Sequence, residues 1–252
     1  MSLRDVWDQE RWPEKWPECG GRQQSPVNID TRLAAYYYYA PGSPKIGSPV
    51  QFTSYDLPLE GFTIRNNGHT IAFSYGKSLQ PSEPRPAITG SLLKWNAFVL
   101  SGFHFHWGQR TGVGGSEHTF NGLPYDMEVH LVHYNADEYR SFDEAIADHN
   151  GGGVTVLSLL FKVSPYANRQ LEQITELVAR YSERFTNQTV SIREPLYLDD
   201  LLPAELTQKT PSSFSKVNLF AYRGSLTTPP CTEGVTWLVA DVVNTIGYEQ
   251  VN

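Results

Sequence analysis

Apolar and polar residues alternate with a period of two along much of this chain. Side chains alternate across a β-strand, so such runs predict strands with one buried face. From about Val50 to Leu100, short alternating runs are separated by turn signals, among them Asn67-Gly68 and the Pro-rich SEPRP. Two longer runs follow, SGFHFHWG and MEVHLVHY, split by the Gly-rich loop GQRTGVGGSEHT. VTVLSLLFKV is a continuous apolar run with β-branched residues and predicts a buried strand. Near the end, VNLFAYRGS and GVTWLVADVV predict two strands flanking SLTTPPC. Helical periodicity is scarce. Leu171, Ile174, Leu177, Val178 and Tyr181 recur at helical spacing and predict an amphipathic surface helix over 168–185. Ser141 and Glu144 have capping-box spacing at the start of a short helix, SFDEAIADH. Residues 1–30 read as irregular, with Trp7, Trp12 and Trp16 as packing anchors. No repeat or linker divides the chain, so the expectation is one strand-rich domain over 1–252 with peripheral helices.

The strand pattern changes the meaning of the histidines. His104 and His106 point to one face of their strand, while Phe103, Phe105 and Trp107 point to the other. Glu128, His130 and Val132 share a face of the next strand. Five of the seven histidines fall between His104 and His133. A lone histidine in an apolar strand is usually a core residue with satisfied hydrogen bonds. Two imidazoles side by side lose water for no gain unless something binds them. Adding His130 gives three neutral imidazoles, and three plus a water make a catalytic zinc site with one open position. No CxxC spacing offers a thiolate alternative. His133 falls on the opposite face from His130 and reads as structural.

Composition narrows the class. At 252 residues the chain can bury a sizeable core. Its formal charge is −7 and it has no basic run, which argues against nucleic acid as a partner. No apolar stretch approaches the length of a membrane span. There are two cysteines, Cys19 and Cys231, which on count alone are as readily free as paired. Asn187-Gln188-Thr189 is a sequon, a glycosylation acceptor in a secreted protein but also a common chance triplet.

Four motifs then occur in order: RQQSPVNI, NNGH, FHFHWG…GSEHT…EVHLVHYN, and GSLTTPP…EGVTW. Together they resemble the α-class carbonic anhydrases, of the secreted or membrane-tethered, disulfide-containing type. The resemblance runs from Trp7 to the C-terminus. It implies a mainly β (α+β) fold, with a large twisted, mostly antiparallel sheet of about ten strands and short peripheral helices. It also implies zinc in a conical cleft and reversible hydration of carbon dioxide to bicarbonate and a proton. Matched residue by residue, His104, His106 and His130 are the zinc ligands, and Glu128 is the carboxylate that orients His130. Thr227 accepts the hydrogen bond of the zinc-bound hydroxide and donates its own to Glu117. Thr228 lines the same polar side. His69 is the proton shuttle and Asn67 helps order the intervening waters. Val132, Val156, Leu226, Val235 and Trp237 form the apolar wall that holds carbon dioxide. Cys19 and Cys231 match the family's disulfide, which implies an oxidising compartment and an extracellular or surface-tethered location. No leader is visible in this sequence, and the expectation is one removed or absent here.

Three departures accompany the resemblance. Gly102 stands where the family usually has a Gln hydrogen-bonded to the first ligand, leaving His104 without its usual side-chain partner. Gln9 stands about where a Tyr ordering the proton-transfer waters is expected, and Ala72 replaces a polar residue of the cleft. The usual family pattern also continues beyond Asn252, with a further strand and an Asn-x-Arg-Pro segment. The rival to an active enzyme is a weakened extracellular binding or matrix module. Such modules typically lose one or more ligand histidines, whereas all three are kept here. An unrelated HxH metalloprotein such as a cupin would not carry the other three motifs.

Overall fold

The computed structural model describes residues 9–34, 50–76, 85–108, 114–148, 151–182, 188–207 and 219–251. The described strands are β1 (Asn28–Ile29), β2 (Gln51–Thr53), β3 (Phe62–Asn66), β4 (Ile71–Tyr75), β5 (Ala87–Thr89), β6 (Phe98–Trp107), β7 (Thr119–Phe120), β8 (Met127–Asn135), β9 (Val154–Ser164), β10 (Thr189–Ser191), β11 (Leu219–Ser225) and β12 (Glu233–Gly247). Ten of them form one mixed sheet in the order β10-β3-β4-β6-β8-β9-β12-β11, with β5 and then β2 attached beside β6. Every pairing in this sheet is antiparallel except β9 with β12. The strand-rich domain expected from the alternating pattern, and the mainly β, mostly antiparallel sheet implied by the resemblance, are the observed architecture.

The two faces of the sheet do different jobs. One buries the main core, which includes Phe62, Ile64, Phe73, Phe103, Phe105, Leu131, Leu157, Leu159 and Leu238. The helix Glu172–Ser182, preceded by a 3-10 turn Arg169–Leu171, lays Leu171, Ile174 and Leu177 onto this core. The other face carries a smaller cluster of Val99, Tyr134, Val154, Val156, Val235 and Trp237. The short helix Phe142–Ala147 covers part of it, with the Ser141 hydroxyl accepting from the Glu144 N–H at 3.2 Å. The Glu144 carboxylate closes the cap on the N–H of Arg140 at 2.8 Å, one residue earlier than a standard capping box.

A bulge in β6 sets the second face. Leu100 pairs with His133 and Gly102 with Val132, so Ser101 has no residue opposite it. The extra residue reverses the alternation. Leu100 joins the main core and Val99 the second cluster, although both lie in one strand with His104 and His106. Among the described residues, no helix is long and apolar enough to cross a membrane. The sequon residue Asn187, the anchor Trp7 and the Tyr36–Tyr39 tract lie outside the described residues.

Candidate active site

Strand register alone assembles the site. Ala72 pairs with His104, His104 with His130, and His130 with Ser158. The next row on the same face pairs His106 with Glu128. On the other side, Ser74 pairs with Gly102, Gly102 with Val132, Val132 with Val156, and Val156 with Trp237. A row of imidazoles therefore lies between a row holding the carboxylate and a row that is almost wholly apolar. Val156, Val235 and Trp237 are buried, while Val132 and Leu226 pack against them half-buried.

The three imidazoles converge. His130 Nδ1 lies 3.2 Å from His104 Nε2 and 3.2 Å from His106 Nε2. Zinc–nitrogen bonds of about 2.0–2.1 Å at tetrahedral angles place ligand nitrogens roughly 3.3 Å apart, so the donor set fits a zinc ion. Burial drives the His104 pKa down to about 3 and that of His106 to about 2, with repulsion from neighbouring imidazoles adding to the effect. Both are therefore neutral, as ligands must be. Burial would depress His130 too, but the charge and hydrogen bond of Glu128 outweigh it and raise its pKa. His130 donates from Nε2 to Glu128 Oε1 at 2.7 Å, which aims Nδ1 at the other two rings.

Glu128 is fully buried and holds five hydrogen bonds. Its Oε2 accepts from the backbone N–H groups of Glu117 and His118, each at 2.8 Å. Its Oε1 accepts from His118 Nδ1, His130 Nε2 and the Ser158 hydroxyl, at 2.6, 2.7 and 2.7 Å. Burial works against the anion, but the His130 charge and the hydrogen bonds from His118 and His130 hold its pKa well below the usual range. Behind it, His118 Nε2 meets the Tyr222 hydroxyl at 2.7 Å, which lies 2.8 Å from Ser25 Oγ. Neither His118, Ser158, Tyr222 nor Ser25 stands out in the sequence as a site residue. The available signals were slight: a histidine beside Glu117, and one serine inside an otherwise apolar strand.

Glu117 lies beside the imidazole cluster. Its Oε1 is 3.4 Å from His106 Nδ1 and its Oε2 is 3.9 Å from His130 Nδ1. Oε2 is buried without a hydrogen-bond partner, an atom that a bound cation or its water would satisfy. Burial pushes the Glu117 pKa up to about 7, while the charge on His130 and a hydrogen bond from the Thr227 hydroxyl pull it back. Thr227 lies in the turn after β11, half-buried, and Thr228 beside it is exposed.

That turn is tied to the N-terminal segment. Cys19 and Cys231 form a disulfide across 212 residues. Glu233 Oε1 accepts from the Gln23 N–H at 2.7 Å and from Gln24 Nε2 at 3.1 Å. The Ser25 N–H donates to Ser225 Oγ at 2.9 Å, and the Ser225 N–H donates to Ser25 Oγ at 3.1 Å.

His69 sits apart from the cluster. It is exposed beyond the β3–β4 turn, where Asn67 Oδ1 accepts from the N–H groups of His69 and Thr70, each at 2.9 Å. Only the amide N–H₂ of Asn67 remains for other partners. His69 lines a groove of about 640 Å³ with Phe105, Trp107 and Ile174, side chains on the face away from His104 and His106. Gln9 is exposed in the 3-10 turn Gln9–Arg11. Among the described residues, His104 has no hydrogen-bond partner beyond His130.

Fold and site together define a three-histidine metal centre set into the face of a β-sheet, with a buried carboxylate behind one ligand. Residues 7–252 match the family of eukaryotic-type carbonic anhydrases, and the chain belongs to that family. It is 34% identical over 233 residues to carbonic anhydrase 6 of Canis lupus familiaris, covering 92% of this chain and 63% of that protein. Human carbonic anhydrase 6 is 32% identical over 238 residues, covering 94% and 67%. Mouse carbonic anhydrase 15 is 32% identical over 241 residues, covering 95% and 67%. The chain thus spans about two thirds of the length of these curated relatives, or slightly less.

Proposed function

We propose that this chain is a zinc-dependent carbonic anhydrase that reversibly hydrates carbon dioxide to bicarbonate and a proton. The observation that carries the reading is the convergence of His104 Nε2, His106 Nε2 and His130 Nδ1 at zinc-ligand spacing, with Glu128 fixing the His130 tautomer. When bound there, zinc supplies a hydroxide at neutral pH by bringing the pKa of water to about 7, a value established for carbonic anhydrases generally.

The chain's own residues orient that chemistry. The Thr227 hydroxyl donates its hydrogen bond to Glu117, which leaves its oxygen as an acceptor that would orient a hydroxide held at the metal site. This requires Glu117 ionised, and a cation beside it favours that form. Thr228 adds a hydroxyl on the same polar side. The row of Val132, Val156 and Trp237, with Val235 and Leu226 beside it, offers an apolar surface one same-face position from the histidines. Carbon dioxide has no strong hydrogen-bonding group, so such a surface holds it without competing for water's partners. The family match supports the proton-shuttle role for His69; its exposed ring lines the groove on the opposite face, so it has to turn across the β3–β4 connection, and water must bridge the remaining gap to His104. Asn67 contributes its amide to those waters. The Cys19–Cys231 disulfide supports an oxidising, extracellular setting.

A stopped-flow assay of carbon dioxide hydration, with and without a zinc chelator, tests the reading. A zinc-dependent rate that collapses in Thr227→Ala supports it. Zinc binding without hydration would instead favour a family-derived extracellular binding module.

A further inference from the structure

On the metal-site face, three residues along β6 from His104, lies a second cavity of about 430 Å³. It opens beside the bulge at Ser101, with Val99 and Tyr134 of the second cluster in its wall. Three residues of strand are about 10 Å, so the cavity begins near the histidines without including them. Its polar lining residues include Arg85 and Arg140, with Ser74, Ser101 and Tyr134.

Arg85 is half-buried, and its Nη2 donates to the Tyr134 hydroxyl at 2.9 Å. The Tyr134 hydroxyl in turn reaches the Arg140 carbonyl at 3.4 Å. Neither guanidinium has a carboxylate partner among the described residues, whereas Arg11, Arg32 and Arg180 each have one. Asp143 stands at the cavity's edge, exposed and paired with neither. The lining thus holds two guanidinium-bearing residues and one carboxylate, Asp143, while the Glu144 carboxylate is engaged by the Arg140 N–H at 2.8 Å. A guanidinium presents its donors in a fork that suits carboxylate and phosphate oxygens. The remaining wall is apolar, from Val99, Leu100 and Phe142.

We propose that this cavity is an oxyanion-binding site, in which Arg85 and Arg140 grip a carboxylate or phosphate group. The claim is independent of the zinc chemistry and is tested by binding. Inorganic phosphate and benzoate are each titrated calorimetrically into the full chain, with zinc loaded and with zinc stripped. Saturable one-to-one binding that survives stripping is expected for at least one probe. Phosphate alone would identify an inorganic oxyanion, and benzoate alone an organic carboxylate seated against Val99 and Phe142. Arg140→Met, at an exposed position, should weaken binding about 10-fold or more, the usual loss for a charge-assisted hydrogen bond. Arg85→Lys keeps the charge and should weaken it less than Arg85→Met. Asp143→Asn should tighten binding about two- to threefold by removing a like charge at the edge. Binding that requires zinc and ignores both arginines would place the anion on the metal and overturn the proposal. So would the absence of saturable heat with either probe.

Discussion

Gly102 offers a stringent test of the site's construction. The family pattern has Gln there, so restoring it should give His104 a hydrogen-bond partner and tighten zinc. Losses of such a partner typically cost 10–100-fold in affinity or activity, so the expected rescue is large. The structure leads to the opposite expectation. A Cβ on Gly102 would lie 2.3 Å from the Phe73 carbonyl oxygen and 3.2 Å from Ser74 Cα. Both belong to the backbone of β4, so no side chain can rotate away. Moving the first contact from 2.3 Å to the 3.0 Å floor of real Cβ contacts requires a shift of 0.7 Å. That shift strains the ladder of Ala72–His104, Phe73–Phe103 and Ser74–Gly102, and the stacked Phe73 and Phe103 rings at 4.5 Å. Overpacking of this kind costs about 1–3 kcal/mol. One to three kcal/mol in a chain of this size lowers Tm by roughly 2–12 °C. Calorimetry reads that loss, and competition with a chromophoric chelator reads zinc affinity. Gly102→Ala is the control, because it adds the same Cβ but cannot reach His104. Both variants should lose stability, and Gly102→Gln should bind zinc no more tightly than the parent. A Gly102→Gln protein with unchanged Tm and tighter zinc would refute the close approach of β4.

Three further outcomes follow from the same geometry. Glu128→Gln removes the acceptor that fixes His130 and should weaken zinc about 10–100-fold in a chelator competition; unchanged affinity would deny Glu128 that role. Reducing Cys19–Cys231 opens a link across 212 residues, worth roughly 5 kcal/mol by chain entropy, so a reductant should lower Tm sharply. An unchanged Tm would show that the hydrogen bonds of Gln23, Gln24 and Ser25 hold the turn alone. Acid should destabilise the zinc-free protein between pH 6.5 and about 3. Burial depresses the His133 pKa to about 3, so as pH falls below 6.5 the unfolded chain takes up a proton that the folded chain refuses. Stability is therefore complete above that window and is lost on descending through it, with His104 and His106 acting in the same direction. His133→Phe with Tyr55→Phe, which also removes the buried hydroxyl bonded to His133, should flatten the urea midpoint across the window. An equal slope in that double variant would refute the assignment.

What the sequence made legible was whatever depends on period. His104, His106, Glu128, His130 and Val132 fall on one face because alternation is local, and the structure keeps them there. The amphipathic helix was legible for the same reason, through Leu171, Ile174 and Leu177. Contacts that depend on register between distant strands were not. Nothing local says that β12 runs parallel to β9, yet that pairing brings Trp237 beside Val156 and so completes the apolar row. Nor does Ser101 announce a bulge, although it decides that Leu100 faces the main core and Val99 the second cluster, and not the reverse.

Gly102 shows how a residue can be read correctly and understood wrongly. The sequence presents it as the loss of a partner for His104. The structure shows a strand that has moved into the space a side chain would need. A contrasting case is Glu128. An ionised carboxylate in a core is unfavourable unless its oxygens are filled, and here five donors fill them. Two of those donors, His118 and Ser158, come from a loop and a strand whose local patterns do not point to a site. Had Glu128 been read as an account to be balanced, its need for donors beyond His130 would have been visible in advance. Within VTVLSLLF, on the neighbouring strand, Ser158 is the polar residue on that face, while Thr155 points to the other.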